Sequence, residues 1–206
     1  GSKRLAKKKT LVKNISSIQN LGSIDILCTD KTGTLTENRI ALQEYIDASG
    51  KANMNVLKYA YLNSFYSTGI KNLVDKAILN YGKIHDIDKK IAKYGKVDEI
   101  PFDYTRKRQS VVVKSTSSYL MITKGALEEI ISKCKWVMDK NIKTILNKEK
   151  IASIKDKAIE ISGNGMQVIA IAIKDTYPGS DNFNVNYEDN MTFIGFVAFL
   201  DPAKKG

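Results

Sequence analysis

The segment spanning residues 28–36 combines a carboxylate with a cation, several hydroxyl groups and a glycine. It reads Cys-Thr-Asp-Lys-Thr-Gly-Thr-Leu-Thr, and its carboxylate belongs to Asp30. An Asp side chain is ionised at neutral pH and needs no base to act as a nucleophile. The residues beside it that could hold phosphate oxygens or let the backbone approach a ligand are Lys31, Thr32, Gly33 and Thr34. The segment therefore suits attack of a carboxylate on a phosphoryl group, which gives an aspartyl-phosphate, a known type of covalent intermediate.

A short apolar run precedes this segment and must position it. Residues 24–27 read Ile-Asp-Ile-Leu, which predicts a buried strand. Asp30 then lies where the strand ends and a turn begins. Ligands of open α/β sheets bind at the carboxyl ends of strands, so this position favours a catalytic role.

Residues 30–36, Asp-Lys-Thr-Gly-Thr-Leu-Thr, resemble the phosphorylation signature of P-type (E1-E2) ATPases. These are ion pumps with a catalytic domain like that of haloacid dehalogenases. A lone Asp after a strand would favour an ordinary polar turn, but a seven-residue string favours the signature. The resemblance implies that Asp30 is the catalytic nucleophile and that Lys31, Thr32, Gly33 and Thr34 bind phosphate. It also implies that Asp30 and the carbonyl oxygen of Thr32 bind Mg²⁺.

Composition limits the class of protein. The 206 residues are 43% hydrophobic, which is enough for a folded core, but the sequence contains no apolar run long enough to cross a bilayer. A pump needs membrane helices, so we expect the chain to be a soluble piece of a larger membrane protein. Its two cysteines indicate a reducing compartment rather than a disulfide framework.

The net charge of +11 raises the question of an anionic partner. Six cations lie within residues 3–13, and no aromatic residues are interleaved with them for base stacking. We therefore expect no nucleic acid partner. A basic segment next to a membrane helix is typical of the cytoplasmic side, although a solvated charged end is an equal alternative.

Apolar periodicity predicts the remaining elements. Strands are expected at 10–14, 40–46, 97–102, 109–114, 119–123, 166–174 and 191–200. Helices are expected at 15–21, 53–64, 70–81, 86–94, 126–134 and 148–162, with Gly82 closing the third. The predicted fold class is α/β, in which an antiparallel sheet flanked by helices forms one domain. That domain is expected to be inserted into an incomplete Rossmann-type phosphorylation domain.

Three weaker features lie in the inserted part. Phe102 could stack on a purine ring, while Lys107 and Gln109 follow it and are expected to share one face of the next strand. Lys124-Gly125 joins a phosphate-binding cation to a glycine, and Asp75 lies on a predicted helix. Taken alone, Phe102 and the residues after it favour a core Phe and a solvated basic strand over a binding site, and Asp75 fits a surface carboxylate.

Beside the 30–36 string, their order resembles the nucleotide-binding domain of P-type ATPases. The resemblance implies that Phe102 stacks on the adenine of ATP and that Lys107 and Gln109 border the adenosine. It also implies that Lys124 and Gly125 line the base and phosphate pocket, and that Asp75 lies near the adenine amino group. Gln167 departs from the family, which has Arg there, so no phosphate contact is carried over to it.

The same resemblance divides the chain into three parts. Residues 1–38 are the first part of the phosphorylation domain, 39–198 are the nucleotide-binding domain, and 199–206 are a hinge and the start of the second part. Asp201, in Asp-Pro-Ala-Lys, matches the hinge motif and is grouped with the ATP-binding residues. The later loops that complete the magnesium site are not in this sequence, so the fragment by itself is expected to be inactive.

Several short sequence segments are most similar to those of bacterial magnesium-transporting P-type ATPases. The resemblance implies ATP as substrate and Mg²⁺ as cofactor. Calcium pumps and other cation pumps are the first alternative. A nucleotide-binding module without chemistry is the second. A soluble phosphatase of the same superfamily is the third, but such enzymes carry an acidic residue two positions after the nucleophile, where this chain has Thr32.

Overall fold

The computed structural model of this chain describes residues 2–14, 16, 18, 20, 22–30, 34–37, 39–116, 118–140, 142–176, 183–202 and 204. The helices among them are α1 (Ser2–Lys7), α2 (Met54–Tyr66), α3 (Leu73–Ile84), α4 (Ile87–Ile91), α5 (Leu127–Ile131) and α6 (Lys148–Gly163), with a 3-10 turn at Val185–Tyr187. The strands are β1 (Ala41–Asp47), β2 (Gly95–Asp103), β3 (Arg108–Lys114), β4 (Tyr119–Gly125), β5 (Cys134–Asp139), β6 (Ile142–Ile145), β7 (Gln167–Thr176) and β8 (Met191–Leu200).

These strands form one sheet in the order β2-β3-β4-β7-β8-β5-β6, and β1 also pairs with β8. β7 runs along one side of β8, so β5 and β1 share the other side, at residues 191–193 and 195–200. Each pairing of named strands is antiparallel except that of β5 with β8, which is parallel. The expected α/β class and mainly antiparallel sheet are therefore confirmed.

Both faces of the sheet are covered by helices, because its strands alternate between two apolar cores. On β3, for example, Val111 and Val113 belong to the core shared with α2, α3 and α4, whereas Val112 belongs to the core shared with α5 and α6. All three valines are fully buried. Full burial of such a side chain contributes about 1.5–3 kcal/mol, so these alternating positions fix which face each strand presents.

Gly82 does not close its helix as predicted. It lies inside α3 and is buried, and a Cβ atom there would overlap the ring of Tyr61 on α2. The helix continues to Ile84 and ends at His85. The glycine therefore marks the close approach of two helices rather than a helix end.

The predicted helix at 126–134 is also too long. It stops at Ile131, and the chain continues into β5 and β6, which the periodicity did not reveal. β5 gains its stability from pairing with β8, a contact between residues more than fifty positions apart. Such a strand has little local signal, since the partner decides its conformation.

The N-terminal part of the chain differs most from expectation. Residues 10–14 are not a strand, and most of the predicted helix at 15–21 lies outside the described residues. The predicted buried strand at 24–27 is irregular, and Ile24, Ile26 and Leu27 are exposed by 48%, 79% and 77%. A strand requires a hydrogen-bonding neighbour, and no described strand pairs with this segment.

One edge of the sheet gathers the ends of several strands. β2 and β4 end there, and β3 and β7 begin there, as the pairings Asp103↔Arg108 and Gly125↔Ala170 indicate. β8 ends and β1 begins at the same edge, where Ala41 pairs with Leu200. The chain therefore enters and leaves the sheet at the edge that also carries the site described next.

Candidate functional site

The edge pocket is a cavity of about 370 Å³ at this edge of the sheet. Its lining consists of Asn72, Val74, Phe102, Lys107, Gln109, Lys124, Gly125, Ala126, Gln167, Val168 and Ile169. The volume is within the range of about 300–1,000 Å³ that small-molecule sites occupy. A second cavity of about 210 Å³ adjoins it, and the two share Asn72, Phe102 and Gln109.

Phe102 presents an aromatic face to solvent at the rim of the edge pocket. Its side chain is 50% exposed, and its ring meets that of Tyr104 edge to face, with centroids 5.3 Å apart. The turn after it is held by Asp103, whose carboxylate accepts from the N–H groups of Thr105 at 2.6 Å and Arg106 at 3.2 Å. Those bonds lower the pKa of Asp103, so the turn is fixed around an ionised carboxylate.

Lys107 and Gly125 come together by a close approach of two backbones. Lys107 precedes β3 with a left-handed φ of +47°, so it does not share a strand face with Gln109 as predicted. Its carbonyl oxygen accepts from the N–H of Ala126 at 3.0 Å. A Cβ atom at Gly125 would overlap that same oxygen, which explains why glycine is required at this position.

Lys124 points away from solvent, towards α2 and α3. Its ammonium group donates to the carboxylate of Asp75 and, at 2.7 Å, to the hydroxyl of Ser64. Lys124 is 5% exposed and Asp75 is 4% exposed. Burial lowers the pKa of Lys124, while the charge of Asp75 acts in the opposite direction. Asp75 lines the smaller adjoining cavity rather than the edge pocket.

Gln109 is fixed by a residue that the sequence analysis missed. Its amide nitrogen donates to the side-chain oxygen of Asn63 at 2.9 Å, and Asn63 in turn donates to the carbonyl oxygen of Ile122 at 2.7 Å. Asn63 and Ser64 are completely buried on α2. They lie three and four positions after Ala60 on the apolar face of that helix, a spacing that could have identified them as buried polar residues.

A second missed residue, Glu188, anchors the turn that carries Phe102 and Lys107. It is completely buried, and its carboxylate accepts from Arg106 at 2.8 Å, Arg108 at 2.8 Å and Ser110 at 2.7 Å. Arg106 also donates to the carbonyl oxygen of Pro101 at 2.7 Å. Glu188 lies in a stretch that reads as polar loop, so the sequence carries no local signal of its burial.

Asp30 and Thr34 are not part of the edge pocket. Both are exposed, and the predicted ligands Lys31, Thr32 and Gly33 lie outside the described residues. Of the predicted phosphate and magnesium ligands in this segment, Asp30 and Thr34 are therefore not brought together with the residues around Phe102. In the part of the chain that the structure describes, no group of three or more His, Cys, Asp or Glu side chains is arranged to hold a metal ion.

Asp201 also lies away from the edge pocket. Its carboxylate accepts from the hydroxyl of Thr36 at 2.6 Å, and its other oxygen is buried without a hydrogen bond to a described residue. Around this pair, segments 34–37 and 201–204 are joined by backbone bonds of 2.9 Å from Glu37 to Pro202 and from Lys204 to Leu35. The segment that leads into β1 and the segment that follows β8, the two crossings of the chain, thus lie side by side.

In chemical terms, the edge pocket offers an aromatic face, an apolar wall of Val74, Val168 and Ile169, and the cation of Lys107. Such a combination suits a flat aromatic ligand that carries negative charge, because stacking and charge attraction act at opposite ends of the ligand. No nucleophile of the predicted type lines it. Considering only the described helices, none combines the length and apolarity required to cross a membrane.

Comparison with known proteins gives a consistent result. The family described as P-type ATPase, cytoplasmic domain N, matches residues 3–206. The magnesium-transporting ATPase, P-type 1, of Escherichia coli strain K12 is 39% identical over 206 residues, which are 100% of this chain and 23% of that protein. A protein of the same description from Salmonella typhimurium strain LT2 is 34% identical over 209 residues, with the same coverage.

A more distant relative carries a different ion in its name. The calcium-transporting ATPase 1 of Bacillus cereus is 27% identical over 231 residues, which cover 99% of this chain and 25% of that protein. The chain spans about a quarter of the length of the curated relatives that it matches.

Proposed function

Because the chain belongs to the family of P-type ATPases, within their cytoplasmic domain N, we propose that it binds ATP in the edge pocket. The observation that carries this proposal is that Phe102, Lys107, Gln109, Lys124 and Gly125 all line one cavity. They come from three strands and one turn, which the edge of the sheet brings together. The adenine ring stacks on Phe102, and the cation of Lys107 attracts the phosphates.

Lys124 and Asp75 contribute to this site as a buried pair. The amine of Lys124 is held by Asp75 and Ser64 beneath the cavity surface, so it belongs to a buried ion pair and is not an exposed cation. Asp75 borders the adjoining cavity, which meets the edge pocket at Phe102. Because the two groups are hydrogen-bonded to each other, an adenine ring on Phe102 meets them as one ion pair.

The whole protein, we propose, is a cation pump that forms an aspartyl-phosphate at Asp30. A carboxylate oxygen of Asp30 forms a bond to the γ-phosphorus while the bond to the β-phosphate oxygen breaks, and ADP leaves with that electron pair. Water then hydrolyses the aspartyl-phosphate and releases phosphate. The side-by-side crossings at 34–37 and 201–204 support a hinge between Asp30 and the edge pocket, with Asp201 at that hinge.

Whether Asp30 can hold a magnesium ion depends on the oxygen ligands around it. A carboxylate is a hard oxygen ligand of the type Mg²⁺ prefers, and Asp30 is exposed and accessible. However, the described residues provide no cluster of acidic side chains around it, and Thr32 is outside the described residues. The residues present do not by themselves fit the ion, so its binding by Asp30 and Thr32 stays a prediction.

Magnesium is the proposed transported ion. The relatives named for magnesium transport are 39% and 34% identical to this chain, and the calcium relative is 27% identical. In a bacterium that lacks its magnesium importers, the full-length protein should restore growth at low magnesium, and Asp30→Asn should abolish that rescue. Growth rescued equally by Asp30→Asn would contradict the aspartyl-phosphate mechanism.

ATP binding is tested by NMR titration of the isotopically labelled chain. We expect a dissociation constant of about 0.1–1 mM, which corresponds to roughly −4 to −5.5 kcal/mol. Amide signals of Phe102, Lys107 and Gly125 should shift most. Phe102→Ala should weaken ATP and AMP to the same degree, by about 1–3 kcal/mol, since base stacking does not involve the phosphates.

The matched control is Tyr104→Ala, which removes the neighbouring ring, one that is 88% exposed. It should leave the affinity for ATP within about twofold of the original, because Tyr104 does not line the cavity. Saturating ATP without any shift around Phe102 would mean that the edge pocket is not the nucleotide site.

A further inference from the structure

A further cavity, here called the lysine cleft, lies near the start of α2. It has a volume of about 450 Å³, and its lining consists of Met54, Asn55, Lys58, Ile87, Lys90, Lys93 and Tyr94. It shares no lining residue with the edge pocket or with the smaller cavity beside it. The lysine cleft is therefore separate from the proposed ATP site.

Three lysines converge on this cleft without acidic partners. Lys58, Lys90 and Lys93 form no ion pair with any residue that the structure describes, whereas Lys89 on the same short helix pairs with Asp86 at 2.7 Å. Burial lowers the pKa of Lys58, and the charge of Lys93 lowers it further. The ammonium groups of Lys58 and Lys93 thus repel each other, and an anion between them would relieve that repulsion.

Aromatic rings hold two of these ammonium groups in place. The Nζ of Lys58 lies 4.6 Å from the ring centre of Tyr59, and the Nζ of Lys93 lies 5.6 Å from that of Tyr94. Both distances are within the range of cation–π attraction. Since the charged ends are already positioned, an anion would lose less binding energy to ordering them.

The start of α2 adds further positive potential. This helix has 13 residues and begins at Met54, beside the cleft, where Asn53 caps it by accepting from the N–H of Asn55 at 3.0 Å. The positive end of the helix dipole favours an anion at this end of the helix. The lysines and the helix end therefore favour the same charge at the same place.

We propose that the lysine cleft binds a small organic phosphate, a phosphate monoester whose organic part is apolar or aromatic. A phosphate monoester carries between one and two negative charges near neutral pH and has three oxygens for the three lysines. The cleft is much larger than a bare phosphate requires, and the side chains of Met54 and Tyr94 give the remaining space an apolar wall. Those features favour an ester over the inorganic ion.

The cleft is also connected to the edge pocket through α2. Lys58 on this helix lines the cleft, and Ser64, six residues later, holds the ammonium group of Lys124. Six residues span about 9 Å along a helix. An occupant of the cleft would therefore contact the same rigid element that supports the lysine beneath the edge pocket.

The experiment uses the 206-residue chain and phenyl phosphate as probe, followed by calorimetry and by NMR of the labelled protein. We expect a saturable site in the cleft, with the largest amide shifts at Met54, Asn55, Lys93 and Tyr94, and any binding in the edge pocket is reported separately by shifts around Phe102. Lys58→Ala and Lys93→Ala should each weaken binding by about fivefold or more, since each removes a charge-assisted hydrogen bond. Phenol, which lacks the phosphate, should not bind.

The matched control is Lys89→Ala. Lys89 lies on α4 next to Lys90, but it pairs with Asp86 and does not line the cleft. The affinity of this variant for phenyl phosphate should stay within about twofold of the original. The shifts at Met54, Asn55, Lys93 and Tyr94 should persist in Phe102→Ala, because the edge pocket is a different site. The proposal is wrong if the shifts are confined to the edge pocket, if Lys89→Ala weakens binding as much as Lys58→Ala, or if binding never saturates.

Discussion

The ammonium group of Lys124 on β4 donates a hydrogen bond to the carboxylate of Asp75 on α3, and each residue is at most 5% exposed. Forty-nine residues separate the two in sequence, and the resemblance to pumps assigns them separate roles towards a nucleotide. In the folded chain they neutralise each other first. Asp75 is therefore also a positioning residue, because it fixes the location of the charge that Lys124 provides.

Removing one member of this pair should be costly. In Asp75→Ala, the buried ammonium group of Lys124 loses its counter-charge, and the free energy of unfolding should fall by about 3–5 kcal/mol. The double change Asp75→Ala with Lys124→Met should recover much of that loss, since no buried charge remains. Urea unfolding followed by circular dichroism measures both. The exposed pair of Lys89 and Asp86 is the control, and Asp86→Ala should change stability by less than about 1 kcal/mol.

Replacing Glu188 should lower the free energy of unfolding strongly. In Glu188→Gln the side chain keeps its shape, but Arg106 and Arg108 lose the buried charge that balances them. Breaking a buried ion pair in this way costs about 3–5 kcal/mol. ATP affinity should also fall, because Arg106 secures the turn between Phe102 and Lys107. Glu160→Gln, which breaks an exposed pair with Lys157, should change neither quantity. Full stability in Glu188→Gln would show that the network is not a structural anchor.

Asp47 at the end of β1 should make stability depend on acid pH. Burial raises the pKa of its carboxyl group, but bonds from Ser49, Lys51 and Asn53 outweigh burial and hold it below the usual value of 3.8. The ionised form therefore stabilises the fold fully above pH 3.8, and this stabilisation is lost as the pH falls through the lowered pKa.

The measurement compares urea unfolding of the original chain with that of Asp47→Asn. The difference in free energy of unfolding should be large near neutral pH and should shrink as the pH is lowered below 3.8. Asp156→Asn, on the exposed side of α6, is the control, and near neutral pH it should change the free energy of unfolding by less than about 0.5 kcal/mol. A difference for Asp47→Asn that grows towards acid pH would reverse the assigned sign.

The 206-residue chain should not phosphorylate itself, although Asp30 is present and accessible. Attack of a carboxylate on ATP brings two anions together, and Asp30 forms no ion pair with any residue that the structure describes. Incubation with γ-labelled ATP and Mg²⁺, followed by an acid quench, should leave no label on the protein. A hydroxylamine-sensitive label that disappears in Asp30→Asn would overturn this expectation.

Much of the fold could be predicted because its signals are local. The hairpin of β3 and β4 follows from period-two apolar residues around a polar turn, and α6 follows from apolar residues at helical spacing. The residues of the edge pocket were found because motif strings fix their identity. These features depend on neighbours within a few positions, which a sequence displays directly.

Other features were decided only by tertiary contacts. Phe102 and Gln109 reach one cavity because the edge of the sheet brings their strands together, and Asn63 joins them from α2 through a hydrogen bond over 46 positions. The burial of Glu188 depends on two arginines, 82 and 80 positions away in sequence, that donate to its carboxylate. Each of these depends on strand register and helix packing, which are set by contacts between remote residues.

The segment around Asp30 makes the same distinction from the opposite direction. Its residues carry the proposed chemistry, since a carboxylate followed by Lys, Thr and Gly is fixed by identity alone. Its conformation is not fixed in this way. An apolar run such as 24–27 becomes a buried strand only where another strand pairs with it, and in the described residues Ile26 and Leu27 remain exposed. Sequence therefore determined what this segment can do, and tertiary contacts decide whether it adopts the required shape.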